Sequence, residues 1–394
     1  MRGISLDLIA ALIFAIAHCR LAVLVLRWAR RARVNRWAFV AAFVGFELVL
    51  AVGFLANYSP FGYSMPSRGM AIFGAISYQC LFATSCAVVV HAFLAPARFA
   101  SASRKVNGGG NLSRRHALSL AGKALVAAPF AALGYGALVE RTNFQVNETD
   151  IPLAGLPPDL DGLRILLLSD IHLGMFLSER ELARMIDAAC ELHPQIAFAT
   201  GDFITTFGDP LEASIRQVAR VEADAGTLGC LGNHERYAHA EDEATRLAAR
   251  AGIPVLRGES RQLRFGNALL NVAGVDYQRR SHWRGQPQAY LAGAESLIQP
   301  GAFNLLLSHN PDVFPVAARQ GWSLVLAGHT HGGQVNVEIL DRYISPAAFL
   351  TPYVRGLYRI GASAEYVTRG IGTVGIPARL GAPPEISLLT LRKA

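Results

Sequence analysis

The chain has 394 residues, 52% of them hydrophobic and 17% charged, with a formal net charge of +8. Its length allows two or three domains, and its composition is more apolar than that of an ordinary soluble enzyme. Up to Asn143, 15 basic residues face 3 acidic ones, a net of +12; from Phe144 onward 22 face 26, a net of −4. The basic surplus therefore belongs to the N-terminal third. A nucleic-acid-binding surface would need that charge on the soluble part, which is mildly acidic, so no nucleic acid is expected as a partner.

Four apolar runs come first, near residues 4–26, 38–56, 70–95 and 117–139. Each is long enough to cross about 30 Å of hydrocarbon. Arg27, Arg30, Arg31, Arg33 and Arg36 separate the first from the second, and Arg98, Arg104, Lys105, Arg114 and Arg115 separate the third from the fourth. Only Arg68 lies between the second and third. Basic loops are retained in the cytoplasm, so this alternation puts everything after the fourth run outside it. Ser113-Arg114-Arg115-His116 also reads as a twin-arginine export signal, which leads to the same side. Asp7, His18, Glu47 and His91 are ionisable groups within or near the spans, and a pairing of Glu47 with a neighbouring helix is expected. Cys19, Cys80, Cys86, Cys190 and Cys230 form no CxxC or CxxxH pair and read as packing residues.

Gly108–Asn111 is a short connector, and Arg141–Leu163, with Pro157-Pro158, leads into the remainder. There, short apolar runs resembling buried strands occur at Arg164–Ser169, Gln195–Thr200, Thr227–Leu231, Phe303–Ser308 and Ser323–Ala327. Helical patterns fall near Ser178–Leu192, Leu211–Asp224 and Ala240–Ala251, and two alternating runs between Pro254 and Tyr277 predict antiparallel strands. Strands alternating with helices give an α/β fold. The chain thus divides into a membrane region, 1–143, and a second domain, 144–394.

The chemistry follows the strands. After the five apolar runs stand Asp170-Ile171-His172, Gly201-Asp202, Gly232-Asn233-His234-Glu235, His309, and Gly328-His329-Thr330-His331. In open α/β sheets, ligand-binding groups gather beyond the carboxyl ends of strands. A lone DxH or GD is most often a surface turn; five in order, each ending an apolar run, converge seven oxygen and nitrogen donors on one place. His193, His239 and His282 read as loop or helix-end residues. Arg236, Tyr237 and Arg355 could meet a phosphate but fit solvated or packing roles, and Arg369 and Arg379 fit structural ones.

This ordered set, DxH, GD, GNH[D/E], H and GHxH, resembles the calcineurin-like metallophosphoesterases. The resemblance covers roughly residues 145–394, and SHNPDVF at 308–314 and RGIGTVGIPARLGAPPE at 369–385 place it nearest a membrane-associated branch with a twin-arginine-like or hydrophobic N-terminal anchor. It implies an αββα four-layer sandwich with two divalent metal ions. One would be held by Asp170, His172, Asp202 and His331, the other by Asp202, Asn233, His309 and His329. Imidazole, carboxylate and amide ligands suit Mn, Fe or Zn; the resemblance orders them Mn first, then Fe or Zn.

The implied reaction is hydrolysis of a phosphodiester or phosphomonoester by a hydroxide bridging the two ions. His234 would act as catalytic acid or transition-state group, with Glu235 orienting it. The substrate class extends to lipid-linked and nucleotide-sugar-linked phosphoesters, with the bilayer as a further partner. A non-catalytic metal- or phosphate-binding membrane sensor, a transporter partner and a nuclease are the alternatives.

Overall fold

The computed structural model describes residues 6–32, 35–57, 68–103, 112–278, 282–283, 286–287, 290–339 and 342–394. The connector expected at Gly108–Asn111 lies outside them, as do Arg33, Arg104 and Lys105. The chain divides into two compact units, Met1–Ala137 with Gly375–Pro377, and Leu138–Val374 with Ala378–Ala394.

In the first unit, the apolar runs form α1 (Leu6–Ala32), α2 (Arg36–Asn57), α3 (Arg68–Ser103) and α4 (Leu112–Leu138). Among the described residues, three stretches are long and apolar enough to cross a membrane: Leu12–Arg31, Ile72–Leu94 and Ser119–Thr142. The second expected span appears as a shorter apolar helix, Trp37–Gly53. His18 Nδ1 lies 2.7 Å from Glu47 Oε2, joining α1 to α2. An ionisable group among apolar helices is costly unless it finds such a partner.

The second unit runs β1 (Gln145–Leu153), β2 (Arg164–Leu168), α5 (Glu179–Cys190), β3 (Ile196–Ala199), α6 (Leu211–Val218), β4 (Thr227–Gly229), α7 (Asn233–Tyr237), α8 (Glu241–Arg250), β5 (Glu259–Phe265) and β6 (Ala268–Gly274). It continues with β7 (His282–Trp283), β8 (Gln286–Pro287), β9 (Phe303–Leu307), α9 (Phe314–Gln320), β10 (Leu324–Ala327), β11 (Val337–Ile339), β12 (Arg342–Ile344), β13 (Gly356–Ile360), β14 (Ser363–Val367) and β15 (Glu385–Lys393). One sheet has the order β1-β15-β2-β3-β4 and the other β13-β14-β10-β9-β6-β5. In the first, β2, β3 and β4 are parallel to one another; in the second, β6, β9, β10 and β14 are. The antiparallel pair expected between Pro254 and Tyr277 is β5–β6, with Glu259 opposite Gly274.

The strands read as unbroken apolar runs because both faces are covered. Ile165, Leu167, Phe198, Leu305, Leu307, Leu324 and Leu326 fill the space between the sheets. Leu166 and Leu168 face outward onto Leu182, Met185 and Ile186 of α5 and Ile215 of α6. Leu306 and Val325 face the other way, onto Phe314 and Ala317 of α9 and Trp322. The result is the four-layer αββα sandwich. Helix α5 begins with a capping box: the Ser178 hydroxyl accepts Glu181 N–H while the Glu181 carboxylate accepts Ser178 N–H. That reciprocal pair satisfies two of the donors a helix N-terminus leaves open.

Candidate metal centre

Each donor named from the sequence leaves the carboxyl end of a strand: β2 for Asp170 and His172, β3 for Asp202, β4 for Asn233, β9 for His309 and β10 for His329 and His331. To turn their side chains inward, five of these seven adopt the left-handed backbone region, with φ of +52° at Asp170, +49° at His172, +56° at Asp202, +72° at His329 and +52° at His331. That region costs a residue with a Cβ of order 1 kcal/mol or more and persists only where the surroundings enforce it, as they do at functional sites. Glycine makes the close packing possible. A Cβ on Gly201 would sit 2.2 Å from the Gly232 nitrogen, and one on Gly232 would sit 2.1 Å from the Asp202 carboxylate.

The donors meet. His331 Nε2 lies 3.4 Å from Asp170 Oδ1 and 3.2 Å from His172 Nε2, while His172 Nε2 lies 3.5 Å from Asp202 Oδ2. His309 Nε2 lies 3.0 Å from the same Asp202 oxygen. Three overlapping groups bring ligand atoms within 4.8 Å of one another: Asp170, His172 and His331; His172, Asp202 and His234; Asp202, His309 and His329. Asn233 is buried beside them, and its Oδ1 has no hydrogen-bond partner. A buried amide oxygen left unpaired is costly unless a cation takes it up.

The surrounding bonds fix which imidazole nitrogen faces inward. Thr200 O accepts from His309 Nδ1 at 2.7 Å, leaving Nε2 to the cluster. The Thr205 hydroxyl lies 3.2 Å from His172 Nδ1, with the same consequence. Partners of this kind orient metal-ligating histidines. On the far side of His331, the fully buried Arg379 donates to the carbonyl oxygens of His331 (2.9 Å), Arg369 (2.8 Å), Gly372 (3.0 Å), Ala382 (3.2 Å) and Gly370 (3.2 Å). It ties the C-terminal loop to the GHTH turn, the structural role its place in the sequence suggested.

The electrostatics favour a cation. Burial, reinforced by the positive charge of His309, lowers His329 to about 3. Burial likewise holds His172 and His331 well below the ordinary range. Neutral imidazoles present a lone pair, the form that ligates metals. Burial would also lower His309, but Asp202 and Asp170 outweigh it and carry that imidazole up to about 10. Two carboxylates so close demand positive charge. No thiolate competes: Cys230 is buried and its thiol pKa is pushed up, chiefly by that burial. The oxygen and nitrogen donors therefore fit a divalent metal of the Mn, Fe or Zn type.

Glu235 does not stand where the sequence reading put it. Its buried carboxylate accepts the N–H groups of Gly232 (2.8 Å), Asp202 (2.9 Å) and Phe203 (2.7 Å) and makes no hydrogen bond to His234. His234 is oriented instead by Thr205 O, 2.5 Å from its Nδ1. The reason is geometric: α7 opens at Gly232, so a residue three positions on reaches back to the helix start. Tyr237 packs its ring 5.5 Å from that of His234. Tyr277, not singled out from the sequence, lies 5.4 Å from the His329 ring and 6.1 Å from that of His309. Its one signal was its position just past β6. His193 and His239 are exposed and belong to none of the donor groups, the side chain of His282 lies outside the described residues, and Arg355 donates to Gly381 O.

Comparison with known proteins agrees with this geometry. The family model described as calcineurin-like phosphoesterase matches residues 163–333. A zebrafish transmembrane protein with metallophosphoesterase domain is 30% identical over 259 residues, 64% of this chain and 58% of its own length. The uncharacterized metallophosphoesterase YkuE of Bacillus subtilis is 29% identical over 288 residues, 71% of this chain and 98% of its own. The phosphodiesterase YaeI of Escherichia coli is 29% identical over 231 residues, 58% of this chain and 82% of its own. The chain thus spans little more than half the length of the zebrafish relative. In this chain, residues 163–333 belong to a calcineurin-like phosphoesterase domain, and apolar helices stand N-terminal to it.

Proposed function

We propose that the chain hydrolyses phosphoesters at a pair of divalent ions that share Asp202. The observation that carries this reading is the position of the Asp202 carboxylate in two donor groups at once, one with His172 and His234 and one with His309 and His329. Asp170, His172, Asp202 and His331 would hold one ion, and Asp202, Asn233, His309 and His329 the other. When bound, such a pair polarises the phosphoryl oxygens and supplies an activated water. The protein's own part is to hold the seven donors rigid on strand ends and to keep His234 in one tautomer. With Nδ1 donating to Thr205 O, His234 Nε2 is the atom that passes a proton to the departing oxygen.

The membrane reading completes the proposal: a multi-pass chain with its catalytic domain on the extracytoplasmic side. The arginines ending α1 and those opening α4 support that orientation. Both phosphodiesters and phosphomonoesters fit the site, with Mn as the first metal to try.

The test is turnover of bis-p-nitrophenyl phosphate and p-nitrophenyl phosphate by the full chain after loading with Mn, Fe or Zn, with metal content measured alongside. Metal-dependent release of p-nitrophenol supports the reading. Full metal occupancy with no turnover of either ester would reduce the cluster to a binding site.

A further inference from the structure

From Gln145 onward, five large apolar side chains are exposed among the described residues, and the three most exposed are Phe349 (80%), Phe207 (64%) and Leu350 (55%). Isolated exposed apolar residues are ordinary on a soluble surface. Each of these three stands on a loop tied to the cluster. Phe207 follows Thr205, whose hydroxyl and carbonyl contact His172 and His234. Phe349 and Leu350 lie between Ser345, which packs against Gly333 just past the GHTH turn, and Val354, whose carbonyl accepts the Thr330 hydroxyl at 2.6 Å. The two loops are thus fastened to neighbours of His172 and His331, whose rings stack 4.9 Å apart.

Both loops are built to hold these side chains outward. The Asp209 carboxylate accepts Thr205 N–H and Thr206 N–H at 3.0 and 2.9 Å, locking the turn that carries Phe207. In the other loop, Phe349 N–H bonds to Pro346 O, and Leu350 N–H and Thr351 N–H bond to Ala347 O. The Thr351 hydroxyl anchors its end on Asp312 at 2.6 Å. From Ser345 to Tyr353 no residue is charged. A surface loop normally carries polar residues; a rigid, uncharged turn that displays aromatic and aliphatic groups suits the acyl boundary of a bilayer. Among the described residues, three helices are long and apolar enough to cross a membrane, so the same chain carries its own bilayer-spanning segments.

We propose that Phe207, Phe349 and Leu350 form an apolar rim that enters the lipid interface, and that the substrate is a phosphoester of a membrane lipid. The proposal rests on the phosphoesterase reading above and names its substrate class. Water supplies both the oxygen that joins phosphorus and the proton that leaves with the alcohol, so hydrolysis needs no other reactant.

The experiment uses the full chain reconstituted in phosphatidylcholine vesicles. In Phe349→Trp, the fluorescence added over wild type is expected to be blue-shifted and quenched by lipid brominated in its acyl chains. Added emission at the wavelength of water-exposed indole, without quenching, overturns the rim. A second arm compares hexadecyl p-nitrophenyl phosphate in the vesicles with soluble ethyl p-nitrophenyl phosphate, which share a leaving group. Wild type is expected to prefer the hexadecyl ester. The triple variant Phe207→Ser, Phe349→Ser, Leu350→Ser should lose at least about tenfold on that ester, a fraction of what full burial of three large side chains would contribute, and nothing on the ethyl ester. No preference in wild type, or an equal loss on both esters, overturns the substrate assignment. Absence of all turnover would refute the phosphoesterase reading instead, and the quenching arm would still decide whether the rim meets lipid.

Discussion

The Glu235 carboxylate accepts the backbone N–H of Asp202 at 2.9 Å, and in doing so fixes the turn that aims the Asp202 side chain. The same carboxylate takes the N–H groups of Gly232 and Phe203. Glu235→Ala would strand three buried donors at roughly 1 kcal/mol or more each, so a loss of roughly 3 kcal/mol is expected. Glu235→Gln keeps one acceptor oxygen and should cost clearly less. Thermal unfolding of the two variants in detergent checks this, and an Ala variant as stable as wild type would show that the brace does not matter.

His234 sits in a geometric group with His172 and Asp202, yet its Nδ1 is committed to Thr205 O. If its role is proton transfer, His234→Ala should lower turnover by about 10²–10⁴-fold with metal content unchanged. Metal analysis separates the alternatives: a preparation short of one ion would make His234 a ligand.

That Asp170, His172, Asp202, His309, His329 and His331 would gather in one place was legible because each follows an apolar strand, and strand ends are where an α/β fold gathers ligand groups. Partners made by backbone were not. Glu235 was read as orienting its neighbour His234, but its hydrogen bonds go to N–H groups, and no side-chain pattern announces those. Strands β1 and β15 were likewise missed: Arg141–Leu163 read as a lead-in, whereas Gln145 pairs with Glu385 and β15 lies inside the sheet between β1 and β2. A pairing between the two ends of a domain leaves no local signature. Strand β1 is an edge strand with Pro152 and an exposed start, which weakened its pattern further.

Arg379 illustrates a residue whose placement was visible and whose importance was not. Its guanidinium reaches five carbonyl oxygens and the Nδ1 side of His331, and burial lowers its pKa to about 9, which leaves it cationic at neutral pH. Lysine carries one ammonium and cannot span that set. Arg379→Lys is therefore expected to lose roughly 3 kcal/mol, with several buried carbonyls left unpaired. Metal binding should weaken in parallel, as the GHTH turn loosens. Denaturation followed together with metal retention tests the link; a stable variant with normal metal content would break it.

Asp202→Asn tests the shared carboxylate directly. The substitution preserves shape and removes the charge that both donor groups use. Loss of at least one ion per chain together with turnover is expected, measured by metal analysis after dialysis. Full retention of two ions would mean that Asp202 does not bridge.

Away from the centre, Glu365 is fully buried on β14, and neither carboxyl oxygen has a hydrogen-bond partner. Burial first, and the charge of Asp312 second, push its pKa well above the ordinary 4.5. The native protein therefore keeps a proton that the unfolded chain releases above that value. Because the native state binds more protons, stability must fall as pH rises from about 4.5 toward the folded pKa, by at most about 1.4 kcal/mol per pH unit for one group. Glu365→Gln keeps the shape and cannot ionise. The variant should match wild type near pH 4 and gain on it as pH rises, until the folded pKa of Glu365 is passed. Thermal midpoints of both proteins across that range provide the measurement, and a difference that stays constant with pH would show that Glu365 carries no such proton.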